Sequence, residues 1–373
     1  MTKLLAVNHA NKLSQNVRVK DYAMSLGVPL CNPFTFWTNS VLVNKLDPFK
    51  LTLIVPSFDE INAIPSSTIS FEELCFRRAE ELYRMNKRIY LKYSGGTDST
   101  VALLSIIRSW PSQDVKDRVF LLATEDSVDE FPEFWPELEV QFNNKLHDSR
   151  EEPSYFHENG IIVNGEVGDQ LFGSSMIQLV PFHTSRKPWR DVIHKVLWED
   201  HLRWPELLLN RYEKTLEYCP FPIKTLFDFL WWLSYTNKVQ NTYLRDMTLS
   251  TLKTYTKCVY PFFLTEYFLR WSLDNHDLKI ENSIKSYKPE AKRFIEKYTG
   301  FNEHWPREKV GSRNFIWMKR HLDKATKWKR ATSDNPIVKD IFRLEGISTD
   351  FEPVSATKTI SHLRSKEEYG EYF

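Results

Sequence analysis

Apolar residues fall in short runs over the first half of the chain, and in longer, helix-spaced sets afterwards. Arg88–Tyr93 (RIYLKY), Asp117–Glu125 (DRVFLLATE) and Gly160–Asn164 (GIIVN) are compact runs bounded by turn residues, which predicts buried strands. Between the first two, Val101, Ala102, Leu103, Leu104, Ile106 and Ile107 predict a largely apolar helix, so the strands are spaced as βαβ units. Ser70–Arg88 predicts a helix entering the first strand. Ser70 and Glu73 form a capping box, and Leu74, Ala79, Leu82 and Tyr83 lie at helical spacing. Asp129–His147 reads as helical, with Pro132 and Pro136 confining its start, and Trp189–Leu273 is mostly helical. Asn32–Trp37, Ser40–Val43 and Leu51–Pro56 predict short strands of a different character.

The expected architecture is α/β: a doubly wound parallel sheet followed by a mainly helical half. Residues 1–85 form an N-terminal extension. Residues 86–330 form the main domain, α/β over 86–185 and helical over 186–330, and 331–373 form a polar tail.

Composition adds little steering. The net charge is +1 over 373 residues, so neither nucleic acid nor membrane is favoured globally. No stretch approaches a membrane span, and the apolar run in the first dozen residues is too short for a signal peptide, which makes a cytoplasmic location the expectation. Cys31, Cys75, Cys219 and Cys258 are widely spaced, against a zinc knuckle or a dense disulfide framework. The 12 Trp and 25 Phe predict an aromatic core. One segment stands apart: Lys285–Arg330 carries fourteen basic and five acidic residues. A solvated helix face and a phosphate- or nucleic-acid-binding surface account for it equally well.

The candidate chemistry begins where the first strand ends. Ser94, Gly95, Gly96, Thr97, Asp98 and Ser99 form a strand–turn–helix junction. Paired glycines let backbone N–H groups face an anion at the helix start, and the hydroxyls add donors. Asp98 would repel that anion unless a cation lay between them, so Asp98 reads as a magnesium ligand. The loop is too short for the ordinary phosphate loop and no lysine follows Gly96. The third strand likewise runs into Gly165, Glu166, Val167, Gly168 and Asp169. Strand ends of a doubly wound sheet line one crevice, so Asp98 and Asp169 could share a metal whose other ligands are phosphate oxygens.

SGGTDS resembles the loop of the PP-loop ATP pyrophosphatase superfamily. Together with GEVGDQLFG, it resembles the synthetase domain of asparagine synthetase and β-lactam synthetase, over about Arg88–Arg320. Tyr260–Phe263 (YPFF) and Pro306–Gly311 (PREKVG) resemble two further segments of that family. The resemblance implies that Ser94–Ser99 bind pyrophosphate, Asp98 and Asp169 bind Mg2+, and Glu166 orients the reacting groups. Lys309 would neutralise charge on the phosphates, assisted by Arg307 and Arg313. It further implies an enzyme that uses ATP to adenylate a carboxylate or carbonyl acceptor and then transfers an amine or ammonia to it. Gln170, Ser174 and Ser175 depart from the family pattern, and Tyr255–Tyr260 lacks its Glu-x-Arg pair. Met1 is not followed by cysteine, so no glutaminase is implied. The nitrogen would come from ammonia, a substrate amine or a separate partner. Two alternatives stand beside this reading. One is modification of a nucleobase, with Lys285–Arg330 holding the polynucleotide. The other is a nucleotide-binding module without catalysis.

Overall fold

A computed structural model describes residues 58–66, 68–142, 146–148, 160–173, 181–193, 213, 215–239 and 258–302. The expected strands between 32 and 56, the tail 331–373, and Lys309, Arg307 and Arg313 lie outside the described residues. By its internal contacts the chain forms two compact units. One comprises Leu53–Ser175 with Asp246–Val310; the other comprises Met1–Thr52, Met176–Arg245 and Gly311–Phe373.

The first unit is built on a five-stranded, all-parallel sheet. Its strands are β1 (Arg88–Lys92), β2 (Val119–Ala123), β3 (Leu146–Asp148), β4 (Gly160–Asn164) and β5 (Val259–Pro261), in the order β3-β2-β1-β4-β5. The chain moves outward in one direction from β1 through β3, then returns to the other side of β1 for β4. The order therefore reverses between β1 and β4, which pair from Arg88↔Gly160 to Lys92↔Asn164 and end level with each other. All five residues of β4 are buried, as are the middle three of β1, matching their unbroken apolar runs.

The helices in this unit are α1 (Phe58–Ala63), α2 (Phe71–Arg84), α3 (Thr97–Ser109), α4 (Ser112–Arg118), α5 (Glu125–Glu130), α6 (Trp135–Phe142), α7 (Gly168–Phe172), α8 (Glu266–Asp274) and α9 (Pro289–Thr299). The start of α2 is fixed by the expected box: Glu73 N–H donates to Ser70 Oγ at 3.2 Å, and Ser70 N–H donates to Glu73 Oε2 at 2.8 Å. α2, ahead of the first strand, packs on α3 and belongs to the same unit as the sheet. Phe71 at its head meets Phe172 at 5.2 Å and Trp271 at 5.2 Å between ring centroids, joining α2, α7 and α8 through an aromatic core.

Three elements differ from expectation, the first being β5, a strand inside the stretch Trp189–Leu273 that reads as mostly helical. The helical reading of Asp129–His147 is corrected at its end, where β3 pairs with β2 through Leu121↔Leu146. Three residues reading LHD carry neither alternation nor an apolar run, so only the open edge of β2 reveals the strand. The expected strand Asp117–Glu125 begins two residues later, because α4 occupies Ser112–Arg118.

The second unit is helical where described. Trp189 stacks on Phe229 with centroids 4.3 Å apart, and Trp231, Trp232 and Tyr235 are fully buried along Leu226–Leu233 and the π-helical turn Ser234–Lys238.

Candidate functional site

β1 and β4 deliver the two sequence motifs to one place. Past β1 the chain turns at Gly95, whose φ of 73° is left-handed and favours glycine. A Cβ there would lie 2.4 Å from Ser127 O, so the loop also has no room for one. Ser94 N–H donates to Ser99 Oγ at 3.1 Å, and Ser99 Oγ donates to Gly96 O at 3.1 Å, closing the loop on itself before α3. The Ser99 hydroxyl is therefore engaged within the turn and buried, whereas Ser94 is exposed. Gly96 is the N-cap of α3 and supplies no side-chain acceptor to its first amides.

Past β4 the second turn lies directly against the first. A Cβ on Gly165 would approach Ser99 N to 2.6 Å, and one on Gly168 would approach Asp98 Cγ to 2.4 Å. The two glycines of GEVGDQ are thus what lets the motifs touch. Between them Val167 has φ 77° and ψ −14°. A β-branched residue in the left-handed region is a strained outlier, costing about 1–3 kcal/mol, and such strain concentrates at functional sites. Half-buried Glu166 sits in this turn, its N–H donating to Asn164 Oδ1 at 3.2 Å.

Asp98 and Asp169 converge, as the crevice reading requires, and a lysine joins them. Lys288 Nζ donates to Asp98 Oδ1 at 2.7 Å and Oδ2 at 2.6 Å, and lies 2.7 Å from Asp169 Oδ1. Lys288 has φ 61° and ψ 50° and is the N-cap of α9, with Pro289 opening the helix. Its backbone N–H donates to Lys279 O at 3.1 Å, so the side chain is aimed from a fixed turn. Burial works against its charge, but the Asp169 and Asp98 carboxylates more than offset this and hold the ammonium above the ordinary lysine range. Tyr287 beside it directs its hydroxyl to Asp169 O at 3.3 Å; burial, then the same two carboxylates, push its phenol well above the ordinary range.

Neither Lys288 nor Tyr287 stands out in the sequence from the other residues of the basic segment. The one local signal is the Lys-Pro step, which marks a helix start. Within the described part of that segment the cations are mostly engaged by the protein itself. Lys292 donates to Lys285 O at 2.5 Å, Arg293 pairs with Glu281 and Glu290, and Lys297 pairs with Glu72 at 2.8 Å.

The pair fits a divalent cation by charge and donor type. Two carboxylates and one ammonium leave one negative charge, which disfavours a polyphosphate unless a further cation joins them. Among the described residues no group of three or more His, Cys, Asp or Glu converges as a metal site. Gln170 is buried, its Oε1 without a hydrogen-bond partner among the described residues.

Comparison with protein-family models, curated proteins and solved structures finds no match to this chain. Among the described residues no helix is long and apolar enough to cross a membrane.

Proposed function

We propose that the protein is an ATP-dependent ligase that forms AMP and pyrophosphate, adenylating a carboxylate or carbonyl acceptor and passing it to an amine or ammonia. The observation that carries this reading is the contact of two motifs at the level ends of β1 and β4, where the strand order reverses, with Asp98 and Asp169 facing one point. In open α/β sheets, ligands bind in the crevice outside the carboxyl ends of the strands at such a reversal, which supports a nucleotide site here.

On this reading the Gly95–Gly96 turn and the first amides of α3 receive the β,γ-phosphates, aided by the helix dipole. Asp98 and Asp169 hold Mg2+, which when bound offsets charge on the phosphates. Glu166 orients the reacting groups, and Lys309, assisted by Arg307 and Arg313, neutralises charge on the phosphates. The acceptor oxygen attacks the α-phosphate and pyrophosphate leaves; the amine then attacks the acyl carbon and displaces AMP. The protein contributes position and fixed charge rather than a covalent nucleophile.

The test is ATP–pyrophosphate exchange with pooled carboxylate and nucleoside acceptors, read as labelled ATP and as a new product mass. Asp98→Asn and Asp169→Asn should each lower exchange by about 10³-fold. Full exchange in both variants would remove the metal assignment, and no exchange with any acceptor would favour the non-catalytic nucleotide-binding alternative.

A further inference from the structure

The position that a divalent ion would need is held by a side chain of the protein. We propose that Lys288 is a built-in counter-cation that must leave Asp98 and Asp169 before a metal ion can take both, so that the free protein binds divalent ions weakly and the nucleotide brings its own. The inference rests on the metal assignment above and adds a positioning role for Lys288.

Lys288 Nζ lies 2.6 to 2.7 Å from three carboxylate oxygens, Asp98 Oδ1, Asp98 Oδ2 and Asp169 Oδ1. The ammonium is therefore seated on the same atoms a metal would take. Mg2+ binds oxygen at about 2.1 Å, closer than the ammonium stands, so both cations cannot occupy the meeting point together. Lys288 is also the more buried partner, with 7% of its side chain exposed against 21% for Asp98 and 31% for Asp169. The carboxylates are reached from solvent while the ammonium closes the site from within. The left-handed backbone at Lys288 and at Val167 fixes both sides of this contact. Once displaced, an ammonium beside a metal-bound triphosphate has phosphate oxygens as its natural acceptors. Nucleotide and metal would then be mutually reinforcing ligands, since each supplies what the other's arrival removes.

The test is Mn2+ binding to the full chain without nucleotide, followed by paramagnetic resonance or calorimetry. Lys288→Gln should bind Mn2+ about tenfold more tightly than the unaltered protein, or better. Adding Asp98→Asn to that variant should abolish the gain. Arg293→Gln, which removes an exposed charge, should leave Mn2+ affinity unchanged. Equal affinity in Lys288→Gln and the unaltered protein overturns the proposal. So does a gain of the same size in Arg293→Gln. If Lys288→Gln and Lys288→Met do not fold, millimolar Mn2+ should restore folding by replacing the lost cation, and failure to do so also overturns it. Pyrophosphate exchange by the unaltered protein separates the two levels. With exchange present and no gain in Mn2+ affinity, only the role of Lys288 falls; with neither, the proposed function falls as well.

Discussion

Gly168 leaves no space for a side chain, because a Cβ would stand 2.4 Å from Asp98 Cγ and Oδ1. Gly168→Ala should push the Asp98 carboxylate aside and lower exchange by about 10²-fold, the usual cost of a displacement near 1 Å, while urea unfolding shows only a modest loss of stability. The pH behaviour of Lys292 gives a second expectation. Burial, reinforced by Lys288, brings its ammonium down to about 8, against about 10.4 for an unfolded lysine. Between those values the unfolded chain binds the extra proton, so stability rises with pH across this window. Replacing Lys292 by Met should therefore stabilise the protein most below pH 8, with the gain fading as pH approaches about 10.4; chemical denaturation at several pH values would read it. Asp98 and Asp169 could be picked out in the sequence because each opens a helix straight after a glycine-containing strand end whose neighbours constrain its chemistry. Lys288 could not, since a lysine's reach depends on which way its helix approaches, and fourteen basic residues share its segment.

Whole elements were legible where burial and local chemistry agree. β4 coincides with GIIVN because all five residues are interior, and α2 begins at its box because Ser70 and Glu73 satisfy each other's backbone. Ser70→Ala should lower stability by about 1 kcal/mol without altering exchange, since the cap is solvent-exposed and Phe71 still anchors the helix; a melting curve beside an exchange assay checks both. β3 was illegible for the opposite reason. Its three residues have no pattern of their own and exist as a strand only through pairing to β2. α9 was legible as a basic stretch but not as the element that completes the site, because its cap Lys288 and its Lys292 are both buried, although lysine ordinarily marks solvent.

At the scale of the molecule, the site draws on three stretches far apart in sequence: 94–99, 165–169 and 287–288. If one ligand organises all three, adding ATP with Mg2+ should slow amide hydrogen exchange in them together, while α4, which leads into the start of β2 at the other end of the strands, should be unaffected. Their order along the chain has a consequence for biosynthesis. β4 and β5 are neighbours in the sheet, yet the chain leaves for the second unit between them, and Lys288 follows later still. On the ribosome, the two aspartates therefore emerge long before Lys288, whose ammonium meets both, and β4 waits with an open edge. The growing polypeptide therefore passes through a stage in which this crevice is half-built, and it is completed only after the intervening stretch has been made.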